Sequence, residues 1–81
     1  MPTNNGKDGY IPNSRATRRA WRGMLRYTEL TQIATDPRWQ SFPLFLADMS
    51  LRPDGTALRR HDETQGFYPS NCAWMPILAA S

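Results

Sequence analysis

Residues Leu58 to Trp74 read LRRHDETQGFYPSNCAW, and this stretch decides the fold. Leu58 to Arg60 carries one apolar anchor, Leu58, followed by two arginines. Asp62 to Gly66 is turn material, with a glycine able to take positive φ. Phe67 and Tyr68 suit a pleated surface, Pro69 interrupts a ladder or sits on its edge, and Cys72 and Trp74 alternate with polar neighbours. The reading is strand, polar loop, strand: a C-terminal β-hairpin.

Working outward, Arg52-Pro53-Asp54-Gly55 is a turn that delivers the chain to the hairpin. Ser41 to Ser50 reads as a helix. Ser41 can cap it, Pro43 is tolerated in the first turn, and Phe42, Phe45, Leu46 and Met49 fall at i, i+3, i+4 and i+7. With Trp39 they form a core stripe. Thr31 to Pro37 is a linker. Ser14 to about Leu30 is the strongest helix pattern, with Ser14 as N-cap and Ala16, Ala20, Met24 and Tyr27 at helical spacing beside Trp21 and Leu25. Arg15, Arg18, Arg19, Arg22 and Arg26 fall on its other side, with Glu29 as their one acidic companion. Residues 1–13 are rich in Asn, Gly and Pro and read as a flexible arm, docked at most by Tyr10 and Ile11. Residues 14–81 then make a single small α+β domain of two helices and a hairpin. Its expected core is Trp21, Met24, Leu25, Trp39, Phe42, Phe45, Leu46, Met49, Leu58, Phe67 and Trp74.

Bulk properties narrow the function. A chain of 81 residues buries only about 60–65% of its unfolded surface, so its core is thin. A single cysteine rules out an internal disulfide and a C-x2-C zinc site. Cys72 is expected to be a small buried residue, with no histidine partner to make it a nucleophile. The net charge is +3, and nine of the ten basic residues are arginine, the side chain suited to bidentate phosphate contact. No segment is apolar enough to span a membrane and no signal peptide opens the chain, so a soluble, intracellular protein with no membrane partner is expected. The first helix is basic for three turns. A solvated face commonly mixes signs, and like charges at these spacings lower helix stability, which favours an anionic partner.

The hairpin and the residues before it resemble a family of small phage-encoded, HNH-endonuclease-like proteins. The family signature reads roughly W-x2-M-x2-R, later W-x2-F-x2-F-x2-DM, then R-P-x-G-x-x-L-x-R-x-D-x3-G-[YF]-x-P-x-N-[CV]-x-W. The matching residues are Trp21, Met24, Trp39, Phe42, Phe45, Asp48, Met49, Arg52, Pro53, Gly55, Leu58, Arg60, Asp62, Gly66, Phe67, Pro69, Asn71, Cys72 and Trp74. Arg26 stands one position short of the family's arginine, and Thr31 to Pro37 lacks a glycine-rich YGGRG-like segment. The resemblance implies a hairpin of ββα-metal-related type. In an HNH site an Asp-His dipeptide on the first strand supplies a metal ligand and the general base that activates water. Here those positions are Arg59 and Arg60, which neither ligate a cation nor accept a proton. His61 lies one place further along, on the opposite strand face. The motif's following helix has only Met75 to Ser81 to draw on. The implied scaffold is therefore degenerate, and its usual catalytic arrangement is not expected.

Three functions are compatible with these residues. The first is a phage-type nucleic-acid-binding protein, non-catalytic and cytoplasmic in a bacterial host, contacting phosphates through Arg15, Arg18, Arg19, Arg22, Arg26, Arg59 and Arg60. It needs no cofactor. The second is a divergent metal-dependent nuclease or nickase, with His61 and Asn71 as catalytic residues and Asp62 as ligand to Mg²⁺ or another divalent ion. The structural alternatives at these positions are an exposed loop histidine, an amide that ties the loop, and an acid that holds the turn or pairs Arg60. The third is a small inhibitor that binds a host or defence protein, such as a CRISPR-type nucleoprotein, with the same basic face.

Overall fold

In the computed structural model, residues 14–77 are described, and the expected arm over 1–13 lies outside them. Helix α1 spans Ser14–Thr31. Its apolar positions recur on one face, where Thr17 and Met24 are buried, and the arginines occupy the opposite face. Ser14, expected as the cap, lies within the helix as described. The far end stops cleanly. Gln32 takes φ +65° and its N–H donates to Thr28 O at 2.8 Å. The Gln32 side chain donates from Nε2 to Glu29 O at 3.0 Å, so with Thr28 O two carbonyls of the last turn are satisfied without a glycine. The Thr28 and Thr31 hydroxyls donate to Leu25 O and Tyr27 O further back.

The segment after α1, read as a linker, is structured. Phe67 N–H donates to Ala34 O at 2.9 Å, and Asp36 N–H donates to Phe67 O at 2.8 Å. Together they make an isolated parallel bridge between Thr35 and Phe67. A one-turn 3₁₀ helix follows at Pro37–Gln40, where the Asp36 carboxylate accepts from Arg38 N–H. Helix α2 runs over Phe42–Met49, capped by Ser41, whose Oγ accepts from Leu44 N–H, and with Pro43 in its first turn. Ser50 leaves it at φ 62°, ψ −175°, a conformation that side chains rarely adopt.

Strands β1 (Thr56–Arg60) and β2 (Cys72–Pro76) pair antiparallel, Leu58 opposite Trp74 and Arg60 opposite Cys72. The turn before β1 uses Gly55 at φ +76°, as its sequence demands. The expected second strand is corrected at its start. Phe67 belongs to the parallel bridge and Pro69–Asn71 forms a 3₁₀ turn, so pairing with β1 begins only at Cys72. Proline has no N–H for a ladder, and its fixed φ suits the turn instead. Gly66 is also corrected. It needs space, not positive φ: a Cβ there would collide with Ala34 O.

The core lies where α1, α2 and the hairpin converge. Met24, Trp39, Phe42, Phe45, Met49, Phe67 and Cys72 are buried. Trp21, Leu25, Leu46, Leu58 and Trp74 pack against them, as does Ile33, which the sequence reading did not place there. The three indoles also join elements. Trp21 Nε1 donates to Trp39 O, Trp39 Nε1 to Asp48 Oδ2, and Trp74 Nε1 to Met49 O, each at 2.7–2.8 Å. Each tryptophan thus buries a large ring and satisfies its single donor on a neighbouring element. Thr17, fully buried, accepts from Arg52 N–H at 2.8 Å and fixes the approach to β1. Among the described residues no helix is long and apolar enough to cross a membrane.

Candidate nucleic-acid interface

At 3.6 residues per turn, Arg15, Arg18, Arg19, Arg22 and Arg26 fall within an arc of about 100° that extends about 16 Å along the axis of α1. All five are exposed. None forms a salt bridge among the described residues, where the ion pair found is Arg38 to Asp48 at 2.9 Å. Ser14, Arg15, Arg18, Arg19 and Arg22 border one shallow open depression. Arg18 differs from the rest: its guanidinium lies 4.2 Å from the centre of the Phe42 ring, a cation–π contact that orients it. The helix itself sets this arrangement, since its buried stripe forces the intervening arginines outward.

Strand geometry separates the two hairpin arginines. Arg59 is exposed on the face turned from the core. Arg60 shares the core-side face with Leu58, and its guanidinium is committed to the loop. Its Nη1 donates to Glu63 O at 2.9 Å and to Gln65 O at 2.7 Å, and its Cζ lies 4.8 Å from the Phe67 ring centre. Arg60 therefore shapes the loop from inside. Asn71 completes the clamp from β2's side. Its Oδ1 accepts from Asp62 N–H, and its Nδ2 donates to Asp62 O and Gly66 O at 3.0 and 2.8 Å. With both ends of the amide used on loop backbone, Asn71 acts as a tie.

His61 is exposed, and its backbone N–H donates to Asn71 O at 2.7 Å, extending the ladder by one residue. Asp62 Oδ1 accepts from both the hydroxyl and the N–H of Thr64. Those bonds, with the positive charge of Arg60, hold the Asp62 carboxyl below its ordinary range. Among the described residues no group of three or more His, Cys, Asp or Glu side chains gathers in a form that could hold a metal ion. Burial pushes the Cys72 thiol up, which keeps it neutral.

Beside the arginine face lies a groove of about 520 Å³ between α1 and β1, lined by Ala20, Gly23, Met24 and Tyr27 on one wall and by Arg52, Ala57 to Arg60, Glu63 and Phe67 on the other. The sequence reading passed over it. Tyr27, on the helix's apolar spacing but outside the expected core, is 45% exposed, and its ring meets Phe67 edge-on at 6.1 Å. Arg52, assigned to a turn, lines the groove while its Nε donates to Thr56 O. One signal was present: Gly23 stands inside a strong helical pattern, where a glycine lowers helix stability by roughly 1 kcal/mol relative to alanine. No protein-family model, curated protein or solved structure matches this chain.

Proposed function

We propose that this protein binds nucleic acid through the arginine face of α1, with Arg59 on the hairpin extending the contact. The observation that carries the reading is the row of five exposed arginines on one side of one helix, none in an ion pair among the described residues. A helix stripe of about 16 Å matches the axial rise of about five nucleotides at 3.4 Å each, so five phosphate contacts are the upper limit for this face. Arginine's fork pairs with two phosphate oxygens at once, which a point charge does not. The resemblance of the hairpin to HNH-like phage proteins points to the same ligand class. The clamp made by Arg60 and Asn71 supports a scaffold role for the loop in place of metal-assisted hydrolysis.

The test is a salt titration of binding to a labelled DNA, repeated with Mg²⁺ and read on a denaturing gel. Five phosphate contacts give a log–log slope of about −4.5 on duplex and about −3.5 on a single strand, a loss of about 500-fold or about 130-fold in affinity between 50 and 200 mM salt. A flat salt dependence, or no binding at low salt, overturns the reading. A cut strand that His61→Ala leaves intact replaces it with the nuclease.

A further inference from the structure

We propose that the groove between α1 and β1 takes an unpaired nucleobase, so that the preferred ligand is single-stranded or locally opened nucleic acid, not continuous duplex. The inference deepens the proposed function and rests on it, because the arginine face supplies the backbone contacts. Position makes the first argument. Ala20, Gly23 and Tyr27 each directly follow one of the helix arginines, so the groove runs along the edge of the basic ridge. A strand whose phosphates lie on the ridge has its bases within reach of the groove.

The lining makes the second. Ala20, Gly23 and Ala57 are small, and a Cβ placed on Gly23 meets nothing within 4 Å. A glycine in a helix interior lowers helix stability relative to alanine, and here it keeps a flat wall open. Tyr27 supplies the exposed aromatic surface, nearly half open although its ring is held by an edge contact with buried Phe67. A planar ring stacking on tyrosine suits that slot, and such stacking tolerates any base. Charge makes the third. Arg52, Arg59 and Arg60 oppose only Glu63, which matches a polyanion carrying the base. A duplex keeps its bases inside the stack, so only an unpaired or extruded base can enter.

The experiment compares, by anisotropy at low salt, a short mixed-sequence DNA strand with an abasic strand of the same length. The intact strand is expected to bind about 5- to 150-fold more tightly, the range of one base–aromatic stack. Gly23→Leu fills the groove and Tyr27→Ala removes the platform. Both are expected to abolish that difference while leaving abasic-strand binding unchanged, and Tyr27→Phe is expected to retain it. Gly23→Leu should melt no lower than the parent chain, which separates a blocked groove from a failed fold. Equal binding of intact and abasic strands, or a preference that survives Gly23→Leu, overturns the groove and leaves the arginine face standing. Failure of both strands to bind overturns the nucleic-acid reading and the groove with it.

Discussion

Arg22→Glu should make the protein more stable and a worse binder. Arg22 stands three or four residues from Arg18, Arg19 and Arg26, so it takes part in three of the like-charge pairs along the ridge. Each such pair lowers helix stability by about 0.2–0.5 kcal/mol, and an opposite pair raises it by a similar amount. Reversing Arg22 turns three repulsions into three attractions. Solvent exposure keeps the net gain near the lower end, on the order of 1 kcal/mol. For a domain of this size that raises the midpoint of thermal unfolding by about 4–8 °C. Circular dichroism melts at low salt measure it directly, and the gain should vanish near 1 M salt, where the Debye length is about 3 Å. The same variant should bind DNA more weakly, with a salt slope shallower by about one. A lower midpoint at low salt would refute the reasoning, since it would mean that Arg22 already has a stabilising partner. Unchanged binding would remove the helix face from the interface.

Three further outcomes test the frame that holds the face. Phe45 is fully buried and meets Trp39 edge-on at 4.9 Å. Phe45→Ala should cost about 3–5 kcal/mol, enough to unfold much of a small domain at room temperature, and denaturant titration checks it. Asn71→Ala removes three hydrogen bonds from the 61–66 loop. It should cost about 1–3 kcal/mol and speed amide exchange at Asp62 more than in α1; uniform exchange would argue against a local tie. The acid limb should depend on Asp48 and Asp62. Hydrogen bonds from Arg38 and Trp39 lower the Asp48 carboxyl, and bonds from Thr64 lower that of Asp62. A carboxylate with a lowered folded value gives stability that is present above the unfolded value, about 3.9, and lost as pH falls through the folded one. Unfolding followed from pH 6 downward should therefore show a decline starting near pH 4, and Asp48→Asn should flatten it.

The elements that announced themselves in sequence are those whose signal is local. The stripe through Met24 and the cap at Ser41 follow from spacing and side-chain chemistry, and the structure has two helices and a hairpin where the pattern puts them. Phe67 was legible as buried but not as a bridge to Thr35, because a single parallel pair leaves no periodicity in either segment. The arginine face was visible for the same reason as the helix. Arg59 and Arg60 looked equivalent as charges. Only the pleat and the loop carbonyls assign Arg60 to the interior of the loop and leave Arg59 outside. The groove depends on the distance between α1 and β1, which no single stretch encodes.

The bridge at Thr35 and Phe67 has a consequence for motion. A two-stranded hairpin is marginal by itself, and this one is joined to the chain after α1 through a pair of backbone hydrogen bonds on either side of Thr35. Opening the bridge frees Phe67, and with it the ring beneath Arg60, so the loop cannot loosen piecemeal. The amides of Asp36 and Phe67, distant in sequence, belong to one cooperative opening unit and should exchange with solvent at matched rates, faster than the buried turns of α1.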